Sequence, residues 1–109
     1  GKAFDTFGPI GPYIVTKDEI KDVQNLNLKL KLNGQIMQNS NTQNMIFDVK
    51  HIVSYLSYFM TLNPGDIITT GTPPGVGMGR NPQIFLKPED QMELEIDGLG
   101  KQKQKIVSS

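Results

Sequence analysis

The sequence predicts a mixed α/β domain that is predominantly β, with short strands and hairpins around one main helix. Three patterns carry this expectation. Leu26, Leu28, Leu30 and Leu32 alternate with Asn27, Lys29, Lys31 and Asn33, the period of two that gives a strand one apolar and one solvated face. Val49, Ile52, Val53, Leu56, Phe59 and Met60 fall on one helical stripe. Met92, Leu94 and Ile96 alternate again, as a second stretch of strand.

Taken in order, Gly8-Pro9 and Gly11-Pro12 forbid a helix at the start and read as an extended, turn-rich lead. Tyr13-Ile14-Val15 is a short β-prone run closed by polar Thr16 to Glu19. The leucine strand ends at Asn33-Gly34, two residues that tolerate the positive φ of a type I′ turn, so Gln35 to Gln38 can pair back. Asn39 to Asn44 is amide-rich and reads as a loop. The helix near 48–60 has Asp48 placed as N-cap and Asn63-Pro64-Gly65 as its stop. Ile67 to Thr70 suggests a brief strand, and Gly71 to Arg80 is too rich in Gly and Pro to be anything but a loop. After Met92 to Ile96, Asp97-Gly98 turns the chain and Lys101 to Val107 can return, for about six short strands in all.

Composition excludes several functions. Among 109 residues, 11 Lys plus Arg balance 11 Asp plus Glu, so no net field steers the chain to nucleic acid or an anionic membrane. With no Cys there is no disulfide framework and no thiolate nucleophile or metal ligand. No apolar run approaches the ~18 residues of a membrane span, and the expectation is a soluble, cytoplasmic unit. The chain opens on Gly1 without Met, and is read as a piece of something longer.

Four features could carry chemistry. Glu93, Glu95 and Asp97 recur every second residue, about 7 Å apart on one strand face, a spacing that suits oxygen ligation of a hard cation. It equally suits cross-strand pairing with Lys101, Lys103 and Lys105, and pairing accounts for every one of these residues. His51, the one histidine, has no serine, cysteine or metal-ligand companion motif and reads as a surface residue. The Gly75-x-Gly77-x-Gly79 loop follows a strand but precedes no helix, so phosphate-loop and dinucleotide readings lose their physical basis. Gly71-Thr72 could still offer backbone N–H groups and a hydroxyl to a carboxylate, or serve as a structural turn. Lys2, beside Ala3 and Phe4, is either a functional cation or a frayed end.

Together these residues resemble a known family. Gly1-Lys2-Ala3-Phe4-Asp5-Thr6-Phe7-Gly8-Pro9-Ile10-Gly11-Pro12 is similar to the G-K-x-F-D-T-x-x-P-x-G-P segment of the fumarylacetoacetate hydrolase family. So are Leu30-x-Leu32-Asn33-Gly34-x-x-Met37-Gln38, Asn41-Thr42-x-x-Met45-Ile46-Phe47, the block from Pro64-Gly65-Asp66 to Thr70-Gly71-Thr72-Pro73-Pro74-Gly75-Val76-Gly77, and Gly98-Leu99-Gly100. The resemblance runs in order along essentially the whole chain, and the Thr-Gly-Thr-Pro block is its most specific part. The branch it resembles holds the domain-containing proteins of this family and the 2-hydroxyhepta-2,4-diene-1,7-dioate isomerases.

The resemblance implies a β-roll, normally homodimeric, of which residues 1–109 are the C-terminal part. It implies Mg²⁺, or Mn²⁺ or Ca²⁺, held by two Glu and one Asp upstream of Gly1, and a small anionic dicarbonyl substrate. The reaction implied is C–C hydrolysis, decarboxylation or isomerisation of a 2-oxo acid or acylpyruvate through a stabilised enolate. By position, Lys2 matches the active-site lysine, Thr6 a position close to the metal, and Thr72, with Gly71, the group that holds the substrate carboxylate. Glu93-x-Glu95 lies in the family's C-terminal hairpin and does not match its metal motif. Without the upstream ligands the chain alone is expected to be inactive. A reading from another class is a small self-contained β-rich binding or assembly domain without catalysis.

Overall fold

The structure, a computed structural model, describes residues 4–108. Its frame is one antiparallel sheet of four strands, β1 (Asn27–Leu32), β2 (Gln35–Asn41), β3 (Gln91–Ile96) and β4 (Gly100–Lys105), in the order β2-β1-β3-β4. One helix, α1 (Val49–Ser57), follows the first hairpin, and single 3-10 turns form at Lys17–Glu19, Thr42–Asn44 and Gly77–Gly79. Predominantly β with one main helix is therefore correct, but four strands form among the described residues rather than six. Tyr13 to Val15 and Ile67 to Thr70 remain outside the sheet, with no described strand beside them. β-propensity measures fit against neighbours, and without neighbours it forms nothing.

Asn33 and Gly34 turn the β1–β2 hairpin with φ of 50° and 82°, the two positive values that a type I′ turn needs. β2 then continues to Asn41, through residues whose polarity suggests a loop. Asn39, Ser40 and Asn41 pair with Lys29, Leu28 and Asn27, so ladder partners override composition there.

Both ends of the β1–β3 pair are closed by side chains. At one end Asp97 Oδ2 accepts from the backbone N–H of Asn27 at 3.0 Å and from its Nδ2 at 2.8 Å. At the other, Asn33 donates through Nδ2 to Asp90 Oδ1 at 2.8 Å, while its own Oδ1 accepts from the Gln91 N–H at 2.9 Å. The turn residue thus also fixes where β3 begins.

The sheet has two unlike faces. Leu28, Leu30 and Leu32 of β1 lie opposite Ile96, Leu94 and Met92 of β3, all half-buried on one face. Lys29 and Lys31 lie opposite Glu95 and Glu93 on the other. Between Leu30 and Lys31 the register with β2 slips. Leu30 opposes Gln38 but Lys31 opposes Ile36, which leaves Met37 as an extra residue, a β-bulge. The bulge lets Met37 and Gln38 line the same cleft on the apolar face. Met37, 7% exposed, is the buried apolar side chain of the described residues.

α1 starts where the sequence predicts, with Asp48 Oδ1 accepting from the His51 N–H at 2.6 Å. Gln24 ties this start to the end of β2. Its Oε1 accepts from the Val49 N–H at 3.0 Å and its Nε2 donates to the Thr42 carbonyl at 2.6 Å. Of the predicted stripe, Val49, Ile52 and Leu56 are half-buried, whereas Val53, Phe59 and Met60 are exposed.

The Asn33 side chain, and after it the Lys87 N–H, hold the Asp90 carboxyl below its ordinary value of 3.8. A carboxyl whose pKa is depressed on folding stabilises the fold above its unfolded pKa, and that contribution fades as pH falls through the folded one. Asn33→Ala is expected to raise the Asp90 pKa toward its ordinary value, read by an NMR titration of the side-chain carboxyl. An unchanged titration would remove Asn33 as the cause.

Candidate functional site

A single cross-strand row organises the apolar face. Gln38 of β2 opposes Leu30 of β1, Leu30 opposes Leu94 of β3, and Leu94 opposes Gln102 of β4. Directly opposed residues of antiparallel strands share a face, so two leucines are flanked by two amides across about 14 Å of sheet. Each amide holds a loop. Gln102 Nε2 donates to the Gly11 carbonyl of the N-terminal segment. Gln38 Nε2 donates to Thr72 Oγ1 at 2.8 Å and to the Pro73 carbonyl at 2.7 Å.

The Gly71 to Arg80 loop is then seated on the bulge. Arg80 donates through Nη2 to the Met37 carbonyl at 2.6 Å and through Nε to the Gly75 carbonyl at 3.1 Å. A guanidinium can bind two carbonyls of different segments in one plane, which an ammonium point charge does less well. Hydrogen bonds to a charged group are worth about 1.5–3 kcal/mol each, well above exposed ion pairs. Close approach needs glycine. A Cβ on Gly75 would lie 2.1 Å from the Met37 carbonyl oxygen, and one on Gly77 would lie 1.9 Å from that of Ile84. An apolar cleft of about 190 Å³ remains between loop and sheet, lined by Leu30, Met37, Gln38, Val76 and Ile84 among others.

Thr72 and Gly71 are exposed at the mouth of this arrangement. Neither residue's N–H donates to another of the described residues. Thr6 sits in an exposed turn closed by the Phe7 N–H to the Phe4 carbonyl at 3.0 Å. Lys2 lies outside the described residues.

The opposite face carries charge. Lys101 pairs with Glu95 at 3.2 Å and Lys103 with Glu93 at 3.1 Å, over a hollow of about 290 Å³ that Lys29 and Lys31 also line. Cross-strand pairing therefore accounts for Glu93 and Glu95, as the spacing allows. Asp97 and Lys105 depart from it, since Asp97 caps the Asn27 end of the sheet and Lys105 meets Glu89 at 2.6 Å. The reason is position, because Asp97 lies past the last β3 pair, in the turn. Among the described residues no three His, Asp or Glu side chains are grouped to hold a metal ion. These residues do not fit a divalent cation.

His51 is exposed, its ring stacked between Phe47 at 4.9 Å and Tyr55 at 6.2 Å, with Phe59 continuing the file 5.0 Å beyond Tyr55. No helix of the described residues is long and apolar enough to cross a membrane.

The family model for the C-terminal region of fumarylacetoacetate hydrolase matches residues 1–107. The chain belongs to the fumarylacetoacetate hydrolase family. A Burkholderia ambifaria relative is 59% identical over 105 residues, which are 95% of this chain and 37% of that protein. The fumarylacetoacetate hydrolase of psychrophilic Exiguobacterium antarcticum is 38% identical, with a TM-score of 0.95 over 100% of this chain and 39% of that one. A maleylpyruvate hydrolase from Sphingobium sp. SYK-6, solved with manganese(II) and pyruvate, is 38% identical, with a TM-score of 0.87 over 96% of this chain and 37% of that one. A 2-hydroxyhepta-2,4-diene-1,7-dioate isomerase from Mycobacterium marinum is 40% identical, with a TM-score of 0.81 over 95% and 37%. The chain thus spans well under half the length of the family members it matches.

Sequence reasoning names Thr72 but gives no role to the two residues that seat its loop. Each leaves a signal. Gln38 is an amide directly opposite a leucine of the apolar face, legible only once the bulge is known. Arg80 is the single arginine of a chain otherwise using lysine, at the end of a glycine loop.

Gly75→Ala is expected to destabilise the fold by about 2–3 kcal/mol, since the added Cβ meets backbone at a positive φ. Gly79→Ala, with open space around it, should stay within about 0.5 kcal/mol of wild type. Urea denaturation of both variants checks the contrast. Glu93→Gln and Glu95→Gln are each expected to cost less than about 1 kcal/mol and to leave Mn²⁺ affinity of the intact gene product unchanged by calorimetry. A tenfold loss of Mn²⁺ affinity would make these carboxylates ligands.

Proposed function

We propose that this chain is the substrate-anion-holding part of an enzyme acting on a small 2-oxo acid or acylpyruvate. The observation that carries the reading is the Thr72 loop. Its hydroxyl is tied to Gln38, which lines an apolar cleft, and the Gly71 and Thr72 N–H groups donate to none of the described residues. Such donors suit a carboxylate, and their pull strengthens as water is excluded. The Sphingobium relative solved with manganese(II) and pyruvate, a 2-oxo acid, supports the substrate class.

In this reading Thr72 and Gly71 hold the carboxylate. Lys2, a permanent cation, is assigned to the negative charge that develops as a bond to the neighbouring carbon rearranges, and Thr6 to a position close to the metal. A divalent cation, Mg²⁺ or Mn²⁺ or Ca²⁺, would have its ligands outside the described residues. The chemistry assigned to this chain is the binding and orienting of the anion, common to hydrolysis, decarboxylation and isomerisation.

Surface area supports a larger whole. The chain exposes 9023 Å², whereas a closed monomer of 12.1 kDa exposes about 6000 Å². Ile14, Ile46 and Tyr58 are 93%, 92% and 82% exposed, and open apolar area on this scale is normally covered by more protein. A β-roll completed by further polypeptide, and a homodimer, would supply that cover. A self-contained binding domain would leave it in water.

Thr72→Val and Lys2→Ala in the intact gene product are each expected to lower turnover at least tenfold, about 1.4 kcal/mol of transition-state stabilisation, without unfolding. The assay is a screen with Mg²⁺ or Mn²⁺ against acylpyruvates, oxaloacetate and hydroxymuconate-type diacids. Wild-type turnover in both variants would overturn these roles.

A further inference from the structure

We infer that Gln38 is a positioning residue that keeps the Thr72 hydroxyl proton pointing away from itself and available to a ligand, an inference that rests on the reading of Thr72 as the holder of a substrate carboxylate. A threonine hydroxyl has one proton and two acceptor lone pairs, and its rotor ordinarily settles on whichever partner is nearest. The partner here removes one of its choices. The Pro73 carbonyl, 2.7 Å from the Gln38 terminal atom, can only accept. That atom is therefore the NH₂ nitrogen and not the amide oxygen, since the flipped amide would set oxygen against oxygen.

The same nitrogen lies 2.8 Å from Thr72 Oγ1, so the hydroxyl is the acceptor in this bond and its proton must point elsewhere. Both N–H groups of Gln38 are spent, one on the hydroxyl and one on the carbonyl that immobilises the next residue. What Thr72 presents beyond Gln38 is thus its proton with one remaining lone pair, and the proton is never spent on Gln38. A donor is what a carboxylate requires, whereas an acceptor at the Gln38 position would draw that proton away. The bulge at Met37 and the pairing of Gln38 with Leu30 hold the amide in place, so the orientation exists before any ligand binds.

The experiment uses the intact gene product with Mn²⁺ and pyruvate as probe, with affinity read by calorimetry and thermal midpoints by scanning. Gln38→Glu replaces a pure donor with an acceptor of the same shape, and the Thr72 proton turns toward it. Pyruvate affinity relative to wild type is expected to fall at least about tenfold near pH 8 and to recover toward about pH 5.5, as the introduced carboxyl, facing acceptor oxygens, takes up a proton and donates again. Gln38→Leu, which removes the donors without charge, tests the same idea should the first variant not fold. It should weaken pyruvate about threefold or more alone and add nothing to Thr72→Val. A Gln38→Glu penalty independent of pH, or a Gln38→Leu penalty that adds fully to Thr72→Val, would overturn the inference and leave Gln38 a structural contact. If Thr72→Val itself binds pyruvate as wild type does, the reading of Thr72 fails, and the inference with it.

Discussion

The register of β1 against its two neighbours is the constraint on which the arrangement turns. Leu30 opposes Gln38 on one side and Leu94 on the other, and Leu94 opposes Gln102. Because side chains alternate with a period of two, a slip of one residue in either pairing would send one amide to the charged face. Gln38 would then lose Thr72 and Pro73, or Gln102 would lose Gly11. The register is held by several independent devices. Leucines and methionine favour one face, the Asn33-Gly34 turn sets the hairpin, and Asn33 and Asp97 close the two ends of the β1–β3 pair. Ion pairs are the weakest of these, because their side chains are 49% to 74% exposed in the two pairs across β3 and β4 and such pairs contribute about 0–1 kcal/mol.

Strict alternation would nonetheless give the wrong site. Without the extra residue at Met37, Met37 and Gln38 would project from opposite faces, and the loop would have either an apolar seat or an amide tether but not both. The bulge places both on one side and takes the Met37 carbonyl out of the regular register, where Arg80 and the Gly75 backbone meet it. A bulge beside a functional loop is a recurrent means of re-aiming side chains. Here the cost of an interrupted ladder is offset by a charge-assisted bond of 2.6 Å to the released carbonyl.

These relations explain which parts were legible beforehand. The Asn33-Gly34 hairpin, the Asp48 cap and the Glu–Lys face follow from rules that act within a few residues or across one turn, so spacing alone exposes them. The extension of β2 through Asn39 to Asn41 does not, because its cause is a partner strand and not its own polar composition. Ile67 to Thr70 fails for the same reason in reverse, having strand propensity without a described partner. The loop-seating roles of Gln38 and Arg80 are not legible in the sequence, since they depend on one inserted residue and on contacts 34 to 43 positions away. Family resemblance singles out Thr72, and the Gln38 bonds show what holds its loop to the sheet.

The unlike faces of the sheet bear on how such a chain is completed. The charged face satisfies itself, with alternating lysine and glutamate rows that remain hydrated at little cost. The other face is different in kind. Its leucines are only half-buried, and the surface exceeds that of a closed body of this mass by about half. Since burial is worth about 25 cal/mol per Å² of apolar area, covering about 400 Å² of apolar surface would contribute energy on the scale of an entire small domain's net stability. Further protein would therefore find its strongest purchase on the apolar side, which is also the side on which Gln38 and Gln102 hold their loops. Covering that side would also exclude water from the loop that Gln38 tethers, and the folding of the whole and the isolation of Thr72 from solvent would then have one physical origin.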